Sequence, residues 1–413
     1  MWEVSERLGG GGAQLAISVA VQVPEDTSHR RIERSVQALC ARHDALRTSF
    51  DGGSLASLRQ RVKAEIEVPL FDATVTDGTC VRREEAQLTG HLREPGFLPG
   101  DASLLRVGVI SERGLPRSVV LVLSHLVVDG WSLRQLGNEL GELLGGGTLR
   151  GAAHQPDHQV TFEASAEGGE LNRKALEHQH AIYASLTLRT PTDDTSRSEL
   201  PRYREGTLVS HRAFEAAQTA ARTFRVSVST VMMAAVVQLL SELGGCTEIT
   251  LLMWTHNRLR PDARGMVGQL TQVVPIQFDV LDMDDRALLR HVQRTVARAM
   301  TAGLYSPAGA ARVRAQLEAR AVDGKLPLGF RFNYIQADPT GSIAPAATND
   351  GEFSWGMSAD EEDIVASFDA LEAERSLSLY VDTCFVPASE IHPALDRLGE
   401  ILDGMLVNPR QGA

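Results

Sequence analysis

The apolar positions change period several times along the chain, and the changes outline its elements. In residues 30–46, RRIERSVQALCARHDAL, the side chains Ile32, Val36, Leu39 and Cys40 recur at helical spacing, which predicts a helix with one buried face. RTSF (47–50) reads as extended. Leu104–Ile110 and Ser118–Leu123 are short β-rich runs, and the Gly and Pro of SERGLPR between them predict a hairpin or meander. The second run leads directly into SHLVVDG (124–130). Ser132 and Gln135 then have the spacing of a capping box, and Leu133, Leu136, Leu140 and Leu143 form a stripe that stops at Gly145–Gly147. The loop carrying His125, Asp129 and Gly130 is therefore expected between the end of a buried strand and the start of a helix. Unpaired backbone N–H groups point outward at such a place and favour an anion.

Farther along, Gly141 to Asp157 and residues 190–202, TPTDDTSRSELPR, read as exposed connections, with a lobe boundary between them. The second half repeats the mixed pattern. A long helix is expected over Ser229–Leu243, stopped by Gly244 and Gly245, then strands at Glu248–Trp254 and Gln272–Val280. Helices at Arg286–Met300 and Ile391–Leu406 follow. Interleaved strands and helices predict an α/β (α+β) class in two lobes, residues 1–175 and 176–413.

Composition narrows the function. The 413 residues, 43% of them hydrophobic, suffice for a large core, and a formal charge of −12 argues against a nucleic-acid binder, which needs surplus Lys and Arg. Cys40, Cys80, Cys246 and Cys384 lie too far apart for a CxxC metal or redox pair. The N-terminus lacks the basic and apolar regions of a secretory signal, and no run of about 18 apolar residues is present, so a cytoplasmic protein with no membrane partner is expected. The sequence has no GxSxG nucleophile elbow, and GGGG (9–12) lacks the Lys-Ser/Thr of a phosphate loop. His178 and His180, two residues apart on an expected helix, do not share a face, so no metal site is proposed. The other histidines, His256 among them, read as packing or surface residues.

HxxxDG is short enough to arise by chance, but other segments agree with it in order. SHLVVDGWS resembles the HHxxxDG motif of the condensation domains of nonribosomal peptide synthetases and their acyltransferase relatives. ARHDALRTSF (41–50) is similar to that family's RHExLRTxF. FLPGDASLLRVGVI resembles the segment before the central motif, WTHNRLRPDARGMVGQLTQVVPIQF the family's Arg followed by a VGxFVNT strand, and Phe332–Tyr334 its late FNY piece. The likeness runs from about residue 13 to residue 409, and the chain is identified as a divergent, free-standing member of this family.

The resemblance implies two chloramphenicol-acetyltransferase-like lobes forming a V-shaped pseudo-dimer with a central tunnel that reaches His125 from both sides. It implies no permanently bound cofactor. The donor would be a phosphopantetheine-linked acyl thioester on an acyl or peptidyl carrier protein, or on coenzyme A, and the acceptor a small-molecule amine or alcohol. His125 would act as general base or as hydrogen-bonding positioner, and the N–H of Gly130 would stabilise the oxyanion. Asp129 is assigned a structural role, with Arg258 its expected partner. Ser124, Trp131, Ser132, Gln272 and Asn333 are candidates for the tunnel wall, and Arg42, His43 and Arg47 read as structural.

Several positions depart from the family pattern. Ser124 replaces the first His, Gln272 and Gln277 stand where Asn and Arg are usual, LYSPAG (304–309) retains little of HQDxPFE, and SERLGGGGAQL little of SxAQxRLW. The sequence shows no adenylation or carrier segment, so the acyl donor is expected from elsewhere. The reading is amide-bond formation in secondary-metabolite synthesis, such as nonribosomal peptide antibiotics. Ester formation and a non-catalytic recruitment module stay open beside it.

Overall fold

The computed structural model describes residues 15–52, 57–75, 80–186, 199–280, 283–320, 326, 329–336, 349–362 and 364–407. The glycine run 9–12, nearly all of SERLGGGGAQL and most of the connection at 190–202 lie outside them. Two compact units emerge. Among the described residues the first contains 15–165 and 256–271, and the second 166–255, 272–336 and 349–407. A boundary between residues 175 and 176 would cut the continuous helix Ala166–Ser185, and the sequence gives no sign that residues 256–271 pack with the N-terminal unit.

The first unit contains, in chain order, β1 (Ala16–Gln22), α1 (His29–Arg42), β2 (Thr48–Asp51), β3 (Arg59–Val62), β4 (Leu70–Thr74), α2 (Val81–Arg93), β5 (Leu105–Glu112), β6 (Leu115–Ser124), α3 (Gly130–Leu144) and α4 (Pro156–Glu163). β2 and β3 form a separate antiparallel pair. The main sheet has the order β1-β6-β5-β4, and only the β4–β5 pair is parallel. β6 is apolar on both faces because both are covered. On one face a Cβ at Gly108 of β5 would come within 2.5–3.0 Å of Leu88 and Leu92 of α2. On the other, Gly137 of α3 packs on Val19 of β1. Register places Gly108 beside Val120, and Val19 beside Leu121, so the two helices take alternate residues of β6.

The second unit contains α5 (Ala166–Ser185), β7 (Tyr203–Val209), α6 (His211–Phe224), α7 (Val228–Gly244), β8 (Glu248–Thr255), β9 (Gln272–Asp279), α8 (Asp285–Met300), α9 (Pro307–Glu318), β10 (Phe330–Ile335), β11 (Phe353–Ala359), β12 (Ala366–Leu371), β13 (Ser376–Asp382) and α10 (Ala388–Val407). Its 7-stranded sheet runs β11-β7-β13-β12-β10-β8-β9, with β10 parallel to both neighbours. The core gathers the buried faces of α6, α7, α8 and α10. No single helix among the described residues is long and apolar enough to cross a membrane. The bent pair α6–α7 passes that test by length and composition, and its apolar residues fill this core. The expected α/β (α+β) class is the observed one.

One connection matters for the site. β8 ends at Thr255 and β9 begins at Gln272, its antiparallel partner, so residues 256–271 form an excursion that leaves and re-enters adjacent strands. The excursion belongs to the first unit.

Candidate active site

β6, an interior strand, delivers His125 just past its C-terminal end, and pairing continues one step past the strand. Ser124 N–H donates to Leu104 O at 3.0 Å, and His125 N–H to Leu15 O at 2.7 Å. The chain then turns tightly, with Val127 N–H donating to Ser124 O at 3.1 Å. Ser124 is 1% exposed, and its hydroxyl accepts the N–H of Leu126 at 3.3 Å. That burial corrects the expectation of a substrate-facing Ser124, which instead braces the turn.

The His125 ring is half-buried, and its Nδ1 lies 2.8 Å from the carbonyl oxygen of Val128. A carbonyl only accepts, so Nδ1 carries the proton and the neutral ring presents a bare Nε2 lone pair. Nε2 has no hydrogen-bond partner among the described residues. Burial is the largest influence on this ring and lowers its pKa below the ordinary 6.5, against opposing pulls from the Val128 carbonyl and the Asp129 charge. A neutral imidazole with an open Nε2 is the form a general base requires.

Asp129 ends the turn and caps α3. Its backbone is extended (φ −118°, ψ 178°), and its carboxylate accepts the N–H of Ser132 at 2.9 Å. The helix thus begins at Gly130, and Ser132 is its third residue rather than its cap, as the capping-box spacing had implied. A carboxylate already occupies the capping position, which releases the Ser132 hydroxyl for another task. Gly130 is exposed, and a Cβ built on it would meet no atom within 4 Å. Its N–H is the first of the helix.

The Asp129 side chain is fully buried and faces the excursion. Arg258 grips both of its oxygens, Nη1 to Oδ2 at 2.7 Å and Nη2 to Oδ1 at 3.0 Å, with neither side chain exposed. Leu270 N–H (3.0 Å) and the Thr271 hydroxyl (3.2 Å) complete the shell of Oδ2. Burial alone would raise this carboxyl, but the Arg258 charge and the hydrogen bonds hold it below the ordinary carboxylate value. Ser132 is also buried. Its hydroxyl accepts from Arg258 Nη2 (2.8 Å) and Gly268 N–H (2.9 Å) and lies within donating distance of Asp129 Oδ1 and Gly268 O. Ser132 is therefore part of the brace, not of a substrate wall. Trp131 is pinned likewise, its indole N–H donating to Arg264 O at 3.0 Å.

Gln272 and Asn333 belong to the second unit. The Gln272 amide donates to Tyr305 O (2.9 Å) and accepts Tyr305 N–H (3.4 Å), so two positions that depart from the family pattern hold each other. Asn333 donates to Asp369 at 3.0 Å. Both candidates thus have their amides engaged within that unit.

His43 was read as structural without its partner, and His256 was passed over. His43 is completely buried and donates Nε2–H to Glu139 of α3 at 2.5 Å, while Gln135 bridges Glu139 and Gly265 O, tying α1, α3 and the excursion together. His256, set aside as packing or surface, lies with its ring centroid 5.0 Å from that of Trp131. Hydrogen-bond partners 96 residues apart leave no periodic signal, whereas His256 stands two residues before the expected partner Arg258.

A family model described as the condensation domain matches residues 4–328. Cyclosporin synthetase simA of Tolypocladium inflatum is 24% identical over 315 residues, 71% of this chain, and tyrocidine synthase 3 of Brevibacillus parabrevis is 30% identical over 198 residues, 46% of the chain. The aligned stretches are 2% and 3% of the lengths of those synthetases. Among solved structures, the condensation domain of the monacolin K polyketide synthase MokA superposes with a TM-score of 0.74 at 16% identity, covering 98% of this chain and 96% of that one.

Proposed function

The chain belongs to the condensation-domain family, and on that premise we propose that it joins a carrier-bound acyl or aminoacyl thioester to an amine, forming an amide. The amine nitrogen attacks the thioester carbonyl carbon. A C–N bond forms, and the nitrogen's proton passes to Nε2 of His125. The C–S bond then breaks and the same proton goes to the departing sulfur, leaving an amide and a free thiol. The donor would arrive on the phosphopantetheine arm of an acyl or peptidyl carrier protein.

The observation that supports this reading most is the Nδ1–H bond of His125 to Val128 O, which fixes the tautomer a base needs. A positioned base contributes about 10² to 10⁴ in rate, and holding an activated thioester beside an amine supplies much of the remainder. The buried brace of Asp129, Ser132 and Arg258 keeps the turn that presents the ring rigid. Ser124, one of the departures from the family motif, braces the same turn.

The test is incubation of the purified protein with acyl-loaded carrier and paired panels of amines and alcohols, with products identified by mass. Amide products support the reading. Ester products alone move the assignment to O-acyl transfer, and no product beyond the background reaction leaves a docking role.

A further inference from the structure

His256 opens the excursion that carries Arg258, and three contacts fix it. Its Nδ1 accepts the backbone N–H of Arg258 at 3.0 Å, and its carbonyl accepts Nη1 of Arg258 at 3.0 Å. The ring lies against Trp131, whose own indole N–H is anchored to Arg264 O. Because Nδ1 is occupied as an acceptor, the neutral ring carries its proton on Nε2. The ring is half-buried, and Nε2 has no hydrogen-bond partner among the described residues. Burial, followed by the Arg258 charge, lowers the pKa of the ring, which favours this neutral form.

Two histidines thus carry complementary open edges, His125 on the turn before α3 and His256 against Trp131 of its first turn. His125 offers a lone pair at Nε2, and His256 offers an N–H at Nε2 beside Trp131, the residue after Gly130. Resting on the acyl-transfer reading above, we propose that His256 binds the substrate directly, donating its Nε2–H to the carbonyl oxygen of the acyl donor. That oxygen gains negative charge as the nucleophile adds and loses it as the thiolate departs, so a donor held in place stabilises the step without transferring a proton. The two contacts on the ring and the one on its backbone carbonyl orient the donor before substrate arrives. Gly130 N–H, at the open start of the helix, is the natural second donor to the same oxygen.

A ring that merely braced the Arg258 backbone would need only its Nδ1 acceptor, and two substitutions separate the roles. His256→Asn places an amide oxygen where Nδ1 accepts and has no donor at the Nε2 position. His256→Gln reaches that position with an amide N–H. With an acyl-pantetheine thioester and the amine that gives the fastest product, kcat and KM are measured for all three proteins, alongside their melting temperatures. The expected result is a kcat lowered about 10²-fold in His256→Asn with KM little changed, at least tenfold recovery in His256→Gln, and melting temperatures close to wild type. Turnover by His256→Asn within about twofold of wild type overturns the donor role and leaves the acyl-transfer reading standing. A wild-type chain that makes no product overturns both.

Discussion

Arg258 and Asp129 meet 129 residues apart in sequence, with Nη1 and Nη2 of the guanidinium each donating to one carboxylate oxygen and neither side chain exposed. The pair joins the cap of α3 to the excursion between β8 and β9, so the turn holding His125 is anchored at its far end by a charge inserted from a distant segment. Neither charge has water to fall back on. The pair is consequently all-or-none: whole, it fixes the turn, and with one member removed, it leaves a buried ion.

Asp129→Asn is expected to lower stability by about 3–5 kcal/mol, because the isosteric amide leaves Arg258 buried without its counter-charge. Arg258→Met should cost less when added to Asp129→Asn than when made alone, and denaturant midpoints of the four proteins of the cycle measure the coupling. The folded pKa of Asp129 is depressed, so its contribution is present above the unfolded value of 3.8 and is lost as pH falls through the folded value. The gap between wild type and Asp129→Asn should therefore close in strongly acid solution.

Gly130→Ala is expected to fold with near-wild-type stability, since the added methyl meets no atom within 4 Å and alanine favours a helix start no less than glycine. If the open space there receives the acyl carbonyl, the methyl obstructs it. Turnover should fall by at least tenfold while the melting temperature holds, and unchanged kcat/KM would remove Gly130 from the site.

The pH dependence of kcat/KM carries the signature of His125. Its pKa is lowered, chiefly by burial, and its neutral form is the active one, so activity is lost as pH falls through a value below 6.5. After correction for protonation of the free amine, whose own titration also enters kcat/KM, the profile should show an acid limb with its midpoint below 6.5, and a corrected midpoint above 6.5 would contradict the burial argument.

Much of the site was legible because its parts are local. The apolar run SVVLVL marks β6, DG marks a cap and helix start, and the order of motifs supports Asp129 and Arg258 as partners. Ser132 was misplaced because the capping-box pattern cannot distinguish a hydroxyl that caps from one consumed by a buried arginine. Ser124 was read as facing substrate and is buried, and Ser124, Gln272 and Asn333 each bond a partner that sequence spacing does not reveal. The division of the chain was misjudged for a related reason. Residues 256–271 cluster with the first unit through hydrogen bonds to Asp129, Ser132 and Gln135, and no composition shift announces them.

The most direct measurement is the single-turnover rate of acyl transfer from loaded carrier to amine, compared between wild type and His125→Ala. Among the described residues the ring makes a single hydrogen bond, to Val128 O, so the variant should fold normally and lose about 10² to 10⁴ in rate. Equal rates in the two proteins would contradict the assignment of His125 as the base.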